Sequence, residues 1–104
     1  MPETLALCRA EEVTEGEIKK ATLPDGSHVA LYRVDGTIYA TADICTHGEA
    51  SLSEEGILTG KIVECTFHFG TFDVTTGEPT GMPCEVPLRT YPVKVIDEKV
   101  CIEV

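Results

Sequence analysis

The chain has no tryptophan and only three phenylalanines and three tyrosines among 104 residues, so its core must be built mainly from Val, Ile, Leu and Ala. No apolar run approaches the length of a membrane span. Basic residues are scarce: 8 Lys and Arg stand against 18 Asp and Glu, a formal net charge of −10. A surface of that sign matches nucleic acid and anionic membranes poorly. The opening residues Met1-Pro2-Glu3-Thr4 carry neither a basic stretch nor a long apolar one. No secretory leader is therefore expected, and the chain reads as cytoplasmic. No segment sustains an apolar period of 3.6 residues over three turns, which argues against a helical architecture. A Ser-His-Asp set, a phosphate loop and a committed carboxylate pair are also missing, which removes the usual grounds for assigning catalysis.

Paired Cys-x-x-Cys motifs are absent as well, although the chain has five cysteines. An odd number is no difficulty in a reducing compartment. Cys8, Cys84 and Cys101 are scattered and expected to be free thiols. Cys101 alternates with Val100, Ile102 and Val104, so it should face away from all three. The other two cysteines each stand beside a histidine. Cys45-Thr46-His47 is followed, after seventeen residues, by Cys65-Thr66-Phe67-His68. Each hook offers one thiolate and one imidazole, and no other polar cluster competes with them as a transition-metal site. His28, the third histidine, lies in a strand-like run without a neighbouring cysteine and reads as a surface or hydrogen-bonded core residue.

Around the hooks the sequence is β-rich and densely punctuated. Asp25-Gly26 and Asp35-Gly36 bracket the strand-like run 27–34, with a returning strand at 37–42. Residues 91–96 and 99–104 flank another two-residue turn at Asp97-Glu98. Two more short strands are expected at 5–8 and 17–23, joined by an acidic connector, 9–16, with room for one helical turn. Short strands with frequent turns predict an all-β fold, an antiparallel sandwich or barrel, in a single domain spanning 1–104. Between 42 and 80 five glycines break up the two hooks and the strand 61–64 between them. About 43–80 is therefore expected to form a small metal-holding subdomain inserted in the β framework.

The order C-x-H…C-x-x-H resembles the Rieske pattern, in which two Cys hold one iron of a 2Fe-2S cluster and two His hold the other. The resemblance continues through Gly70-Thr71-Phe72-Asp73-Val74, Thr76-Gly77 and the segment from Gly81 to Tyr91, and covers essentially the whole chain. In these segments the chain resembles the Rieske ferredoxins of bacterial aromatic-ring dioxygenases, such as those serving biphenyl and naphthalene dioxygenases. The resemblance implies a Rieske-type β fold with Cys45 and Cys65 on the buried iron and His47 and His68 on the outer one. It also implies a third, proline-rich loop that puts Pro83 to Pro87, with Cys84, near the cluster. The function it implies is that of a one-electron carrier, not an enzyme in isolation. Such a carrier would take electrons from an NAD(P)H-dependent flavoprotein reductase and deliver them to a terminal oxygenase.

Two neutral imidazoles in place of two thiolates make the site less negative, so its potential should exceed that of an all-Cys cluster. Rieske proteins of respiratory complexes carry an extra Cys in each cluster loop, where this chain has none; Thr66 fills the second. They also place Ser and Tyr hydroxyls against cluster sulfurs, at positions that appear here as Gly70 and Phe72. Without those hydrogen bonds the expected potential lies in the lower half of the Rieske range, roughly −150 to 0 mV. Phe72 and Tyr91 are expected in the core, with Phe67 and Phe69 shielding the cluster or facing a partner. The acidic pairs Glu11-Glu12, Glu54-Glu55 and Asp97-Glu98 are either solvated loop tips or a means of steering toward basic partners. Two alternatives stay open: a Rieske-like small subunit of another redox system, such as nitrite reductase, and a structural zinc module, which would be colourless.

Overall fold

The computed structural model describes residues 4–44, 51–65, 70–81 and 86–103. Among the described residues eleven strands run in chain order, all paired antiparallel and sorted into three sheets. The first sheet joins β1 (Thr4–Arg9), β11 (Lys99–Glu103) and β10 (Val93–Ile96) in the order β1-β11-β10. The second joins β2 (Ile18–Thr22), β3 (His28–Val34), β4 (Thr37–Ala42) and β9 (Thr90–Tyr91) in that order. The third holds β5 (Gly56–Thr59), β6 (Ile62–Cys65), β7 (Thr71–Asp73) and β8 (Pro79–Gly81). The all-β, antiparallel expectation holds. A 3-10 turn, Ala10–Glu12, occupies the acidic connector.

Strand β3 explains why three sheets pack as one body. Successive side chains of a strand point to opposite faces. On one face Ala30 and Tyr32 join a cluster with Leu52, Leu58, Val63, Cys65, Phe72, Val74 and Leu88. On the other, Val29 and Leu31 join Val13, Ala21, Leu23, Ile38, Ala40, Val100 and Ile102. The second sheet is thus covered on both sides, and the continuous apolar stretch of β3 is that of a strand with no solvated face. Val100 and Ile102 share the second cluster, while Cys101, on the opposite face of β11, is also buried. Phe72 is fully buried, and Tyr91 is half-buried against the second cluster.

Turn chemistry fixes the hairpins. Asp35 and Gly36 have φ of 50° and 82°, and Asp97 and Glu98 have φ of 50° and 64°. Two consecutive positive φ values are the mark of the two-residue turn whose twist matches the flanking strands. Asp25-Gly26 instead sits in a longer loop, closed by Leu23 N–H to Ser27 O at 2.8 Å and by the Asp25 carboxylate on Ser27. The expected strand 91–96 is in fact two. Pro92 has no N–H for a ladder, and there the chain leaves β4, which pairs with β9, and joins β11 through β10.

The acidic pairs are exposed, and the ion pairs they make lie at the surface: Arg9 with Glu11 at 3.1 Å and Lys20 with Glu54 at 2.8 Å. Such pairs contribute little to stability. Asp73 differs, with only 13% of its side chain exposed. Burial pushes its carboxyl upward, but the Thr75 hydroxyl at 2.6 Å, the Thr75 N–H at 2.9 Å and Lys61 at 3.4 Å prevail and hold it below the usual aspartate range. A group whose folded value is depressed stabilises the fold above its unfolded value, and that contribution disappears as pH falls through the folded one. Asp73→Asn is therefore expected to unfold at lower urea than the parent at pH 7, with the gap between the two narrowing as the pH falls through the acid range. Equal midpoints at pH 7 would remove this role for Asp73.

Candidate metal centre

Of the four expected ligands, Cys65 is described; Cys45, His47 and His68 lie outside the described residues, as do Phe67, Phe69, Pro83 and Cys84. Cys65 ends β6 and is 0% exposed. It shares the apolar face of the third sheet with Val63 and Phe72. Its N–H donates to the Gly70 carbonyl at 2.8 Å, which closes the base of the segment 66–69 carrying His68. The second hook therefore lies in the hairpin between β6 and β7.

The first hook is closed in a similar way. Ile44 and Ser51 form an isolated antiparallel bridge, so the two ends of the segment 45–50 meet. Asp43, 1% exposed, reinforces that base. Its carbonyl accepts the Leu52 N–H at 2.6 Å, Oδ1 accepts the Ser53 N–H at 2.8 Å, and Oδ2 accepts the Ser51 hydroxyl at 2.5 Å. These bonds also explain α1 (Leu52–Glu55), a single turn that no apolar period announces. Ser51, at its N-cap, makes no side-chain capping bond, and Asp43 takes the exposed N–H groups of the first turn from eight residues upstream.

The two loop bases are tied together. α1 runs directly into β5, whose first residue, Gly56, pairs with Cys65. A Cβ on Gly56 would run into the Leu52 carbonyl oxygen, which is backbone and cannot swing aside. Gly56→Ala is expected to cost about 1–3 kcal/mol, as overpacking does in a closed site, and to displace Cys65 with it. Urea unfolding checks the cost; a loss of under about 0.5 kcal/mol would mean that the helix and strand can part.

A third segment approaches from the other side. The Leu88 N–H donates to the Gly77 carbonyl and the Ala42 N–H to the Arg89 carbonyl, at 2.7 and 2.9 Å. Gly77, at φ 82°, has the Leu88 carbonyl against the place a Cβ would take. Residues 86–90 are thereby set beside the end of β4, next to the first hook. Two large apolar side chains stay exposed in the segments that flank the hooks and the third loop, Ile44 at 47% and Val86 at 58%.

The described surroundings fit a 2Fe-2S group with thiolate ligation on its inner side. Cys65 brings a sulfur donor into apolar packing from which water is excluded, between two loops closed at their bases. Among the described residues no group of three or more His, Cys, Asp or Glu gathers as a metal site. His28 is engaged elsewhere, its Nδ1 lying 3.1 Å from the Thr22 hydroxyl. Sequence reasoning passed over Asp43, Ser51 and Ser53. The available signal was a lone acid at the end of an apolar strand, with Ser-x-Ser eight residues on.

The Rieske [2Fe-2S] domain family matches residues 3–92. The chain is 49% identical over 104 residues to the ferredoxin component of the p-cumate 2,3-dioxygenase system of Pseudomonas putida, covering 100% of this chain and 88% of that protein. Among solved structures, the ferredoxin of Sphingomonas yanoikuyae B1 superposes with a TM-score of 0.93 at 40% identity, over 98% of this chain and 99% of that one. The complex of reduced oxygenase and oxidized ferredoxin in carbazole 1,9a-dioxygenase contains a chain that matches with a TM-score of 0.89 at 43% identity, over 95% of this chain and 91% of that one.

Proposed function

The chain belongs to the Rieske [2Fe-2S] domain family, and on that premise we propose that Cys45 and Cys65 hold one iron of its cluster while His47 and His68 hold the other. The group is one Rieske-type 2Fe-2S cluster, which supplies reversible one-electron chemistry. The protein is an electron-carrying ferredoxin of an aromatic-ring dioxygenase system and not itself the enzyme. The observation that carries the ligand assignment is Cys65: fully buried, closing the base of one hook, and paired through Gly56 to the helix that closes the other.

The remaining residues shape how the electron is held. Phe72, in full apolar packing with Cys65, offers no hydroxyl, and this supports a potential in the lower Rieske range, roughly −150 to 0 mV. That range suits an electron arriving from an NAD(P)H-dependent flavoprotein reductase and leaving for a terminal oxygenase. The exposed Ile44 and Val86 beside the loop bases supply an apolar contact for the oxygenase, within an acidic surface that steers the approach. Residues 1–104 act as a single Rieske domain, with about 43–80 as the cluster-binding part, which fits the separate sheet β5–β8. Cys8 and Cys101 are free thiols, which fits the reducing cytoplasm. Among the described residues no helix is long and apolar enough to cross a membrane.

The test is reconstitution. With a flavoprotein reductase, NADH and an aromatic-ring oxygenase, hydroxylated product should form only when this red-brown ferredoxin is added. A colourless, zinc-loaded protein would contradict the reading.

A further inference from the structure

Asp43 is costly where it stands. A carboxylate taken out of water carries a penalty of several kcal/mol unless a cation compensates it. No cation touches it among the described residues: the nearby Lys20 is engaged at the surface with Glu54 at 2.8 Å. Hydrogen bonding alone does not call for the carboxylate charge. Asparagine would offer Oδ1 to the Ser53 N–H and could turn its amide toward the Ser51 hydroxyl at far smaller desolvation cost.

What sets the position apart is its place in the chain. Asp43 comes two residues before Cys45, and all four of its polar groups are used: N–H to His28 O, carbonyl to Leu52 N–H, and the two oxygens to Ser51 and Ser53. The first bond anchors it to β3, and the other three grip the far end of the first hook. We propose that Asp43 is the positioning residue of the first ligand loop and that its buried negative charge lowers the reduction potential of the cluster. The inference rests on the ligand assignment above and deepens it. A fixed negative charge beside a centre that gains an electron disfavours the reduced state, and in a dry interior it acts with little screening.

Asp43→Asn keeps the acceptor and removes the charge. In purified, cluster-loaded protein its midpoint potential should rise enough to change the electron-transfer equilibrium at least threefold, about 30 mV at 59 mV per tenfold for one electron. A loaded Asp43→Asn protein with the parent potential would overturn the inference while leaving the ligand assignment intact. If the parent itself holds no iron, the ligand assignment has failed instead. Should Asp43→Asn not load, Ser51→Ala leaves the charge in place and removes one tether. Its iron should then pass to a chelator at least threefold faster than the parent's, and an unchanged rate would overturn the positioning role.

Discussion

Cys65→Ala protein is expected to purify colourless, with iron and acid-labile sulfide at background. Alanine removes a single heavy atom from a position 0% exposed, so the packing loss by itself is about 1 kcal/mol. For a domain of this size that lowers the thermal midpoint by roughly 4–8 °C. The loss of the inorganic group adds to this, because ligand-binding free energy gained only in the folded state counts as folding stability. The two loop bases that meet through Cys65 and Gly56 would no longer be bridged by a shared centre. A drop well beyond 8 °C, with an antiparallel β spectrum retained at low temperature, is the predicted pattern. A brown Cys65→Ala protein with full iron content would remove Cys65 from the ligand set.

The second large effect is on potential. In a cluster with two thiolates and two imidazoles, two ferric ions, two sulfides and two thiolates sum to zero charge in the oxidised state. The double substitution His47→Cys and His68→Cys makes that sum −2, so the added electron enters an already negative centre. Rieske centres reach down to about −150 mV, against about −400 mV for all-Cys plant-type clusters. The potential is therefore expected to fall by at least roughly 250 mV, about a 10⁴-fold change in the one-electron equilibrium. The variant should remain coloured but accept electrons poorly from a flavoprotein reductase that reduces the parent. Spectroelectrochemical titration reads this directly, and a potential within about 50 mV of the parent would show that those histidines are not ligands.

How far the sequence reveals the fold depends on the range of the forces involved. The turns Asp35-Gly36 and Asp97-Glu98 are legible because positive φ is a local demand, and the strands they join follow from alternation. The run 91–96 reads as one strand because its composition is continuous; only Pro92, which cannot donate to a ladder, marks the crossing between sheets. β5, β7 and β8 are three or four residues long, too short for any period to emerge. α1 is hidden for another reason: its first turn is capped from Asp43, outside the helix, so no local signal announces it. The ligand hooks are legible as residue types at a spacing. The device that closes the first of them is not, because it depends on burying an aspartate whose partners lie eight to ten residues downstream.

The central claim is that two cysteines and two histidines share one 2Fe-2S cluster, with both imidazoles on the same iron. Pulsed electron paramagnetic resonance of the dithionite-reduced protein tests it most directly, because imidazole nitrogen bound to the reduced iron couples strongly to the unpaired spin. The account predicts two strong ¹⁴N couplings in the parent, with one lost in His68→Cys and the other in His47→Cys. A reduced cluster without strong nitrogen coupling, or a parent protein without a paramagnetic signal, would contradict it.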